Sequence, residues 1–135
     1  MSKNLIYTAN TTEAAVPVGS TVPVGSIIRR YGLIGASGSA INLVESGYYS
    51  VDIHGTFTAA ATGDVIFTLL QDGVPVPGAT ATATIATAAT EYKDVYMGPV
   101  IRVRCCGNSN LSVVVSSLST AEPTIVNFTW KVIKV

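Results

Sequence analysis

Between Tyr48 and Phe57 the chain alternates strictly. Tyr49, Val51, Ile53 and Phe57 fall on one face, and Tyr48, Ser50, Asp52, His54 and Thr56 on the other. A period of two predicts a half-buried β-strand. Ala59 to Asp64 is small and Gly-bearing and reads as a turn, and Val65 to Leu70 follows as a strand apolar on both faces. That pattern is expected of a strand lying between two packed layers. Asp72-Gly73 is a turn dipeptide, and Pro75 and Pro77 argue against a regular central strand just after it. Further strands are predicted at Ile27–Tyr31, Ile41–Val44, Ala79–Ala89, Tyr92–Met97, Val100–Cys106 and Leu111–Leu118, with Gly32, Gly35 and Gly38 breaking one stretch into loop. The C-terminal run places Val126, Phe128, Trp130 and Val132 on a common face. No helical period appears anywhere. About eight to ten short strands at this spacing predict an all-β fold, an antiparallel two-sheet jelly-roll sandwich.

The N-terminal stretch reads differently. After Leu5-Ile6-Tyr7, residues 8–26 are small and turn-forming, and Val16-Pro17-Val18-Gly19-Ser20 recurs as Val22-Pro23-Val24-Gly25-Ser26. Two copies are too few for a solenoid. Proline removes a backbone donor and glycine weakens a central strand, so residues 1–26 are expected to form an extended arm or edge segment. Residues 27–135 then form the sandwich.

Composition changes the picture at one point. Only 12% of the 135 residues are charged, about half the usual share of roughly 25%. Thr, Ser, Asn and Gly supply the polarity instead, so the surface is neutral and partly apolar, as suits burial against other subunits. With net charge zero there is no basic field to draw in nucleic acid. No apolar run reaches membrane-spanning length. Met1 to Tyr7 lacks the apolar core of a signal peptide, so the chain is expected to be made and kept in a cytoplasm or to leave it within a larger particle.

Candidate chemistry is sparse. His54 and Asp52 share the polar face of the long strand, but no serine sits in a Gly-x-Ser-x-Gly elbow. Asp64, Asp72, Glu91 and Asp94 are scattered and form no calcium loop. One histidine leaves a single-chain zinc site short of ligands, and no cofactor is expected. Cys105-Cys106 read as two reduced thiols, with an interchain disulfide or a metal shared on a symmetry axis as the alternatives. Arg29 and Arg30 point to opposite faces of their strand, so one is solvated or paired across a subunit boundary. The Trp130 stripe reads as core or subunit interface rather than a sugar platform.

Gly47-Tyr48-Tyr49-x-Val51-x-Ile53, then Phe67-Thr68-Leu69-x-x-Asp72-Gly73-x-x-Val76-Pro77-Gly78, then Leu111-x-Val113-x-Val115 and the terminal Val132-Ile133-Lys134-Val135 form a distinctive order. Across residues 27–135 this order resembles the trimeric jelly-roll domains of the tumour-necrosis-factor and complement-globular-head superfamily, especially their bacterial and phage versions. Arg29-Arg30-Tyr31-Gly32 and Cys105-Cys106-Gly107 are similar to segments of small stand-alone phage proteins. The resemblance implies a non-enzymatic virion structural protein: a homotrimer that decorates a phage capsid or forms a head fibre. Such a protein would be assembled in the host bacterial cytoplasm and displayed on the virion surface, with itself and a capsid protein as partners. Attachment would fall to the arm through Val16, Pro17, Val18, Val22, Pro23 and Val24. The candidate trimer contacts are Tyr49, Phe67, Leu69, Val113, Phe128 and Trp130. The alternative is a receptor- or glycan-binding tip of a tail fibre or bacterial surface filament.

Overall fold

Alternation is what the chain turns into pleated sheet, and among the described residues it does so in twelve strands. The computed structural model describes residues 3–88, 90–104, 108–117 and 122–135. The strands are β1 (Leu5–Asn10), β2 (Ala14–Ala15), β3 (Ser26–Tyr31), β4 (Ile34–Ser37), β5 (Ala40–Leu43), β6 (Gly47–Ala59), β7 (Gly63–Gln71), β8 (Val74–Ile85), β9 (Lys93–Met97), β10 (Val100–Val103), β11 (Ser109–Ser117) and β12 (Pro123–Lys134). Sheet A runs β10-β6-β12-β1-β3, with β2 extending the β1 position along β12 and β9 extending the β10 position along β6; sheet B runs β4-β5-β11-β7-β8. All pairings are antiparallel, as expected of a jelly-roll sandwich.

The core lies between the sheets. Tyr49, Val51, Ile53 and Phe57 of β6 are buried, as the alternation requires, and so are Phe67 and Leu69 of β7. Phe67 meets Phe57 edge-on at 5.1 Å and stacks near Phe128 at 6.3 Å, so three rings tie sheet A to sheet B. Such pairs add about 0.5–1.5 kcal/mol each beyond area burial.

Three local expectations change. Val126 is not a core residue: a bulge between Ile125 and Asn127 turns Ile125 inward and leaves Val126 half-buried. Only Val65, Phe67 and Leu69 of β7 face the core, with Ile66 and Leu70 half-buried on the outer face. The Gly32–Gly38 stretch is not all loop. Ile34–Ser37 is an edge strand paired to β5, and Gly38 at φ 61 makes the turn between them. The Asp72-Gly73 turn forms as expected, with φ of 53° and 81°, the signature of a type I′ hairpin. Pro75 and Pro77 sit in β8, an edge strand, where missing donors cost no ladder bond. Cys105 and Cys106 lie outside the described residues.

The largest correction concerns residues 1–26, which are not a separable arm. β1 is an interior strand, paired to β12 along its whole length and to β3 on its other side. The two Val-Pro-Val-Gly-Ser copies then cross from one sheet to the other. Val16 N donates to Pro123 O (2.9 Å) in sheet A, while Gly19 N donates to Val115 O (2.8 Å) and Val22 N to Val113 O (2.9 Å) in sheet B. The physical reason is that β5 pairs only with the first part of β11. Further along that edge, the Val113 carbonyl and both backbone groups of Val115 are met by residues 19–22. Val16, Val22 and Val24 plug the seam and belong to the core. Buried Asn4 accepts Leu33 N at 2.9 Å, fastening the same segment to the β3–β4 turn.

Candidate functional site

The residues singled out for function separate into buried and exposed sets. Tyr49, Phe67, Leu69, Val113, Phe128 and Trp130 are all 0% exposed. They fill the core of one chain and cannot touch a second, so the Trp130 stripe is core. Among the attachment candidates Val16, Val22 and Val24 are buried; Pro17, Val18 and Pro23 remain at the surface. Pro17 O accepts Ser20 N at 3.0 Å with Gly19 at φ 90, a type II turn that holds Val18 out to solvent.

A different surface emerges from the outward positions of sheet A. Registers place Arg102 of β10 beside Tyr48, Val100 beside Ser50, and Ser50 beside Ile133 and Leu5, ending at Tyr31. The next row is Asp52, Lys131, Tyr7 and Arg29, and the next is Tyr96, His54, Thr129 and Ala9. Tyr7, Tyr31, Tyr48, Tyr96, Val100 and Ile133 are all substantially exposed on this face. Beside it, β3 is exposed on both of its faces, with Ile27 and Ile28 at the surface and Leu33 just beyond its end. An exposed strand edge with large apolar side chains is a surface that ordinarily pairs with something.

In the middle of the face, Tyr96 Oη donates to Asp52 Oδ1 at 2.7 Å and Lys131 Nζ lies 3.5 Å from Asp52 Oδ2. The Asp52 carboxylate holds the Tyr96 phenol above its ordinary value, because an ionised phenolate would lose this bond and face a like charge. Asp52 is thus engaged by Tyr96 and Lys131, and the Asp52–His54 dyad does not form. His54 stands in register with Tyr96 and Thr129. Among the described residues no three His, Cys, Asp or Glu side chains converge. The cross-strand ion pair is solvent-facing and contributes about 0–1 kcal/mol. Its geometry orders side chains rather than activating one. Arg29 and Arg30 are both at the surface, Arg29 in the face and Arg30 donating to Ile34 O at 2.6 Å.

At the β10 edge of sheet A a groove of about 790 Å³ opens between the two sheets. It is lined by Val100, Arg102, Arg104, Asn108 and Ser109 together with Gln71, Asp72, Val74, Pro75 and Pro77 of the β7–β8 hairpin. The tyrosine face was legible only in part, since Tyr48 already stood on the polar side of the β6 alternation. The groove was not, because it brings residues 71–77 against residues 100–104 and 108–109, and no local pattern announces that approach.

No protein-family model matches the chain, and no curated protein sequence matches it. Solved structures do. Murine APRIL at pH 8.5 superposes with a TM-score of 0.69 at 12% identity, covering 99% of this chain and 100% of that one. The globular domain of zebrafish complement 1qA gives a TM-score of 0.69 at 10% identity, over 96% of this chain and 94% of that one. Eiger TNF from S. frugiperda gives 0.64 at 10% identity, over 98% and 91%. The fold of this chain is the tumour-necrosis-factor and C1q globular-head jelly roll.

Proposed function

We propose that this chain is a non-enzymatic structural protein that self-assembles through the outer face of sheet A, as a homotrimer on the surface of a phage capsid. The observation that carries the reading is the face itself. Four tyrosines, two arginines (Arg29 and Arg102) and several aliphatic side chains stand exposed on it. Tyrosine and arginine are the residues that interfaces concentrate, and they dominate binding energy when buried there. A second apolar patch, the β3 edge with Ile27, Ile28 and Leu33, lies beside the first. A two-fold contact needs one self-complementary patch, whereas two different patches suit a head-to-tail ring that closes on itself. Three copies is the number implied by the resemblance to the trimeric jelly rolls.

The location on a virion rests on the segments Arg29-Arg30-Tyr31-Gly32 and Cys105-Cys106-Gly107 and on the charge-poor composition. With Val16, Val22 and Val24 committed to the core, attachment falls to the surface of the jelly roll, where the Pro17-Val18 turn protrudes. Co-sedimentation of the purified protein with capsids lacking it tests this. Saturable binding that weakens in Val18→Asp supports attachment through that turn. Failure to bind capsids, with binding to tail tips instead, overturns the capsid assignment.

A further inference from the structure

We infer that copies of this chain are joined by a charge pair between Arg29 of one copy and Asp94 of the next, residues set at opposite edges of sheet A. The inference rests on the proposed self-assembly through that sheet and names the contact that directs it.

The charges on the outer face of sheet A fall into two groups. Asp52 and Lys131 meet within the chain, and Arg102 lies over the Tyr48 ring, 5.8 Å from its centroid. Arg29 and Asp94 are left over. Arg29 ends the row Asp52, Lys131, Tyr7, Arg29 at the β3 edge. Its Nη1 donates to Ile28 O at 2.9 Å, which uses one of five guanidinium donors. Asp94 stands beside Thr56 in β9, at the other edge. Its Oδ1 accepts the Thr56 hydroxyl at 2.7 Å, a neutral partner that leaves its charge uncompensated. Both residues are exposed, and among the described residues neither forms an ion pair. β1, β12 and β6 lie between their strands. Four strand spacings, about 19 Å, therefore keep them apart within one chain.

Covering this face with another copy takes water away from both charges. A desolvated charge without a partner is costly, so the covered assembly must supply one to each. The chain holds only 8 basic and 8 acidic residues, which leaves few to choose from. Opposite charges at opposite edges are what a head-to-tail contact brings together, once per contact around a closed ring. The surroundings of the two charges match as well. Tyr31 follows Arg29 by two residues and Tyr96 follows Asp94 by two, so each ring leaves the same side of its strand as the charge. These are the two most exposed tyrosines among the described residues. Laid together, the two rings shield the pair from water, as the rim of a well-packed contact does. Electrostatic complementarity of this kind fixes register and rejects wrong pairings.

The test is sedimentation equilibrium on the unmodified protein, Arg29→Glu, Asp94→Arg and the double exchange, each checked for a cooperative melt. Each single exchange sets like charges against each other and should weaken self-association by about tenfold or more. The double exchange restores the pair with its signs reversed and should return the association constant to within about threefold of the unmodified value. Undiminished association in both single variants would overturn the pairing and leave the self-assembly reading standing. A double exchange no stronger than its weaker parent would do the same. A monomeric unmodified protein would overturn both.

Discussion

On sheet A the positions that turn away from the core hold Tyr7, Arg29, Tyr31, Tyr48, Asp52, Tyr96, Lys131 and Ile133. On sheet B the corresponding positions hold Ile66, Thr68, Ser112, Val114, Ser116, Thr80 and Thr82, side chains that are mostly short. Both faces cover the same core, and both arise from the same alternation. They differ in how far their side chains reach and in what is left exposed. Short hydroxyls and β-branched groups pack against their cross-strand neighbours and finish the sheet. Tyrosines and arginines stand proud of it and leave apolar area and donors that one chain does not satisfy. The difference teaches that sheet B is finished largely with short side chains, whereas sheet A keeps the exposed tyrosines and apolar area on which the proposed self-assembly rests.

The largest test removes the strand on which the tyrosine face depends. Deleting residues 1–24 takes away β1, strips partners from β12 and β3, and unplugs Val16, Val22 and Val24 from the seam. The truncated chain should show no cooperative thermal transition. A cooperative melt near that of the full chain would restore the independent arm.

A second test sets one face against the other. Tyr7→Glu on sheet A should weaken self-association by about 2 kcal/mol or more, roughly thirtyfold, since it places a charge where an interface anchor stood. Thr68→Glu at the centre of sheet B should leave the assembled mass unchanged. Sedimentation velocity across a dilution series reads both. Equal effects would erase the distinction between the faces.

The inward neighbour of Tyr7 sharpens the point on a smaller scale. Thr8 is 0% exposed and its Oγ1 finds no partner among the described residues. Thr8→Val removes a buried hydroxyl at nearly constant shape and should stabilise the chain by about 1 kcal/mol, raising the melting temperature without altering the assembled mass.

The smallest effect is a titration. The Tyr96 phenol is held protonated by Asp52. A raised folded-state value means that this bond is fully present below the ordinary tyrosine range and is lost as pH rises through the raised value. In Asp52→Asn the ultraviolet titration of Tyr96 should move back down toward the ordinary value. An unmoved curve would separate Asp52 from Tyr96.

Much of this fold could be read from the sequence because a period of two carries its own meaning. Tyr49, Val51, Ile53 and Phe57 point inward as their spacing demands, and Asp72-Gly73 turns as its residue types demand. The N-terminal segment resisted reading because composition alone was its signal. Its two identical pentapeptides do different things. Gly19 opens into a solvent turn with nothing near its missing side chain, while Gly25 packs directly on the backbone of Ala9. Val18 is exposed and its counterpart Val24 is buried, a difference set by what lies across from each copy. The interface candidates failed for a related reason. Large apolar residues such as Trp130 mark burial, and a sequence does not say whether one chain or two do the burying. The exposed tyrosines carry that information, and only the register brings them onto one face.

The central claim is that the tyrosine face of sheet A is covered by further copies of this chain. Light scattering on the gel-filtered protein tests it most directly. The account predicts a single species at about three times the 14.0 kDa chain mass, reduced toward one chain mass in Tyr7→Glu. A clean monomer at micromolar concentration in the unmodified protein would contradict it.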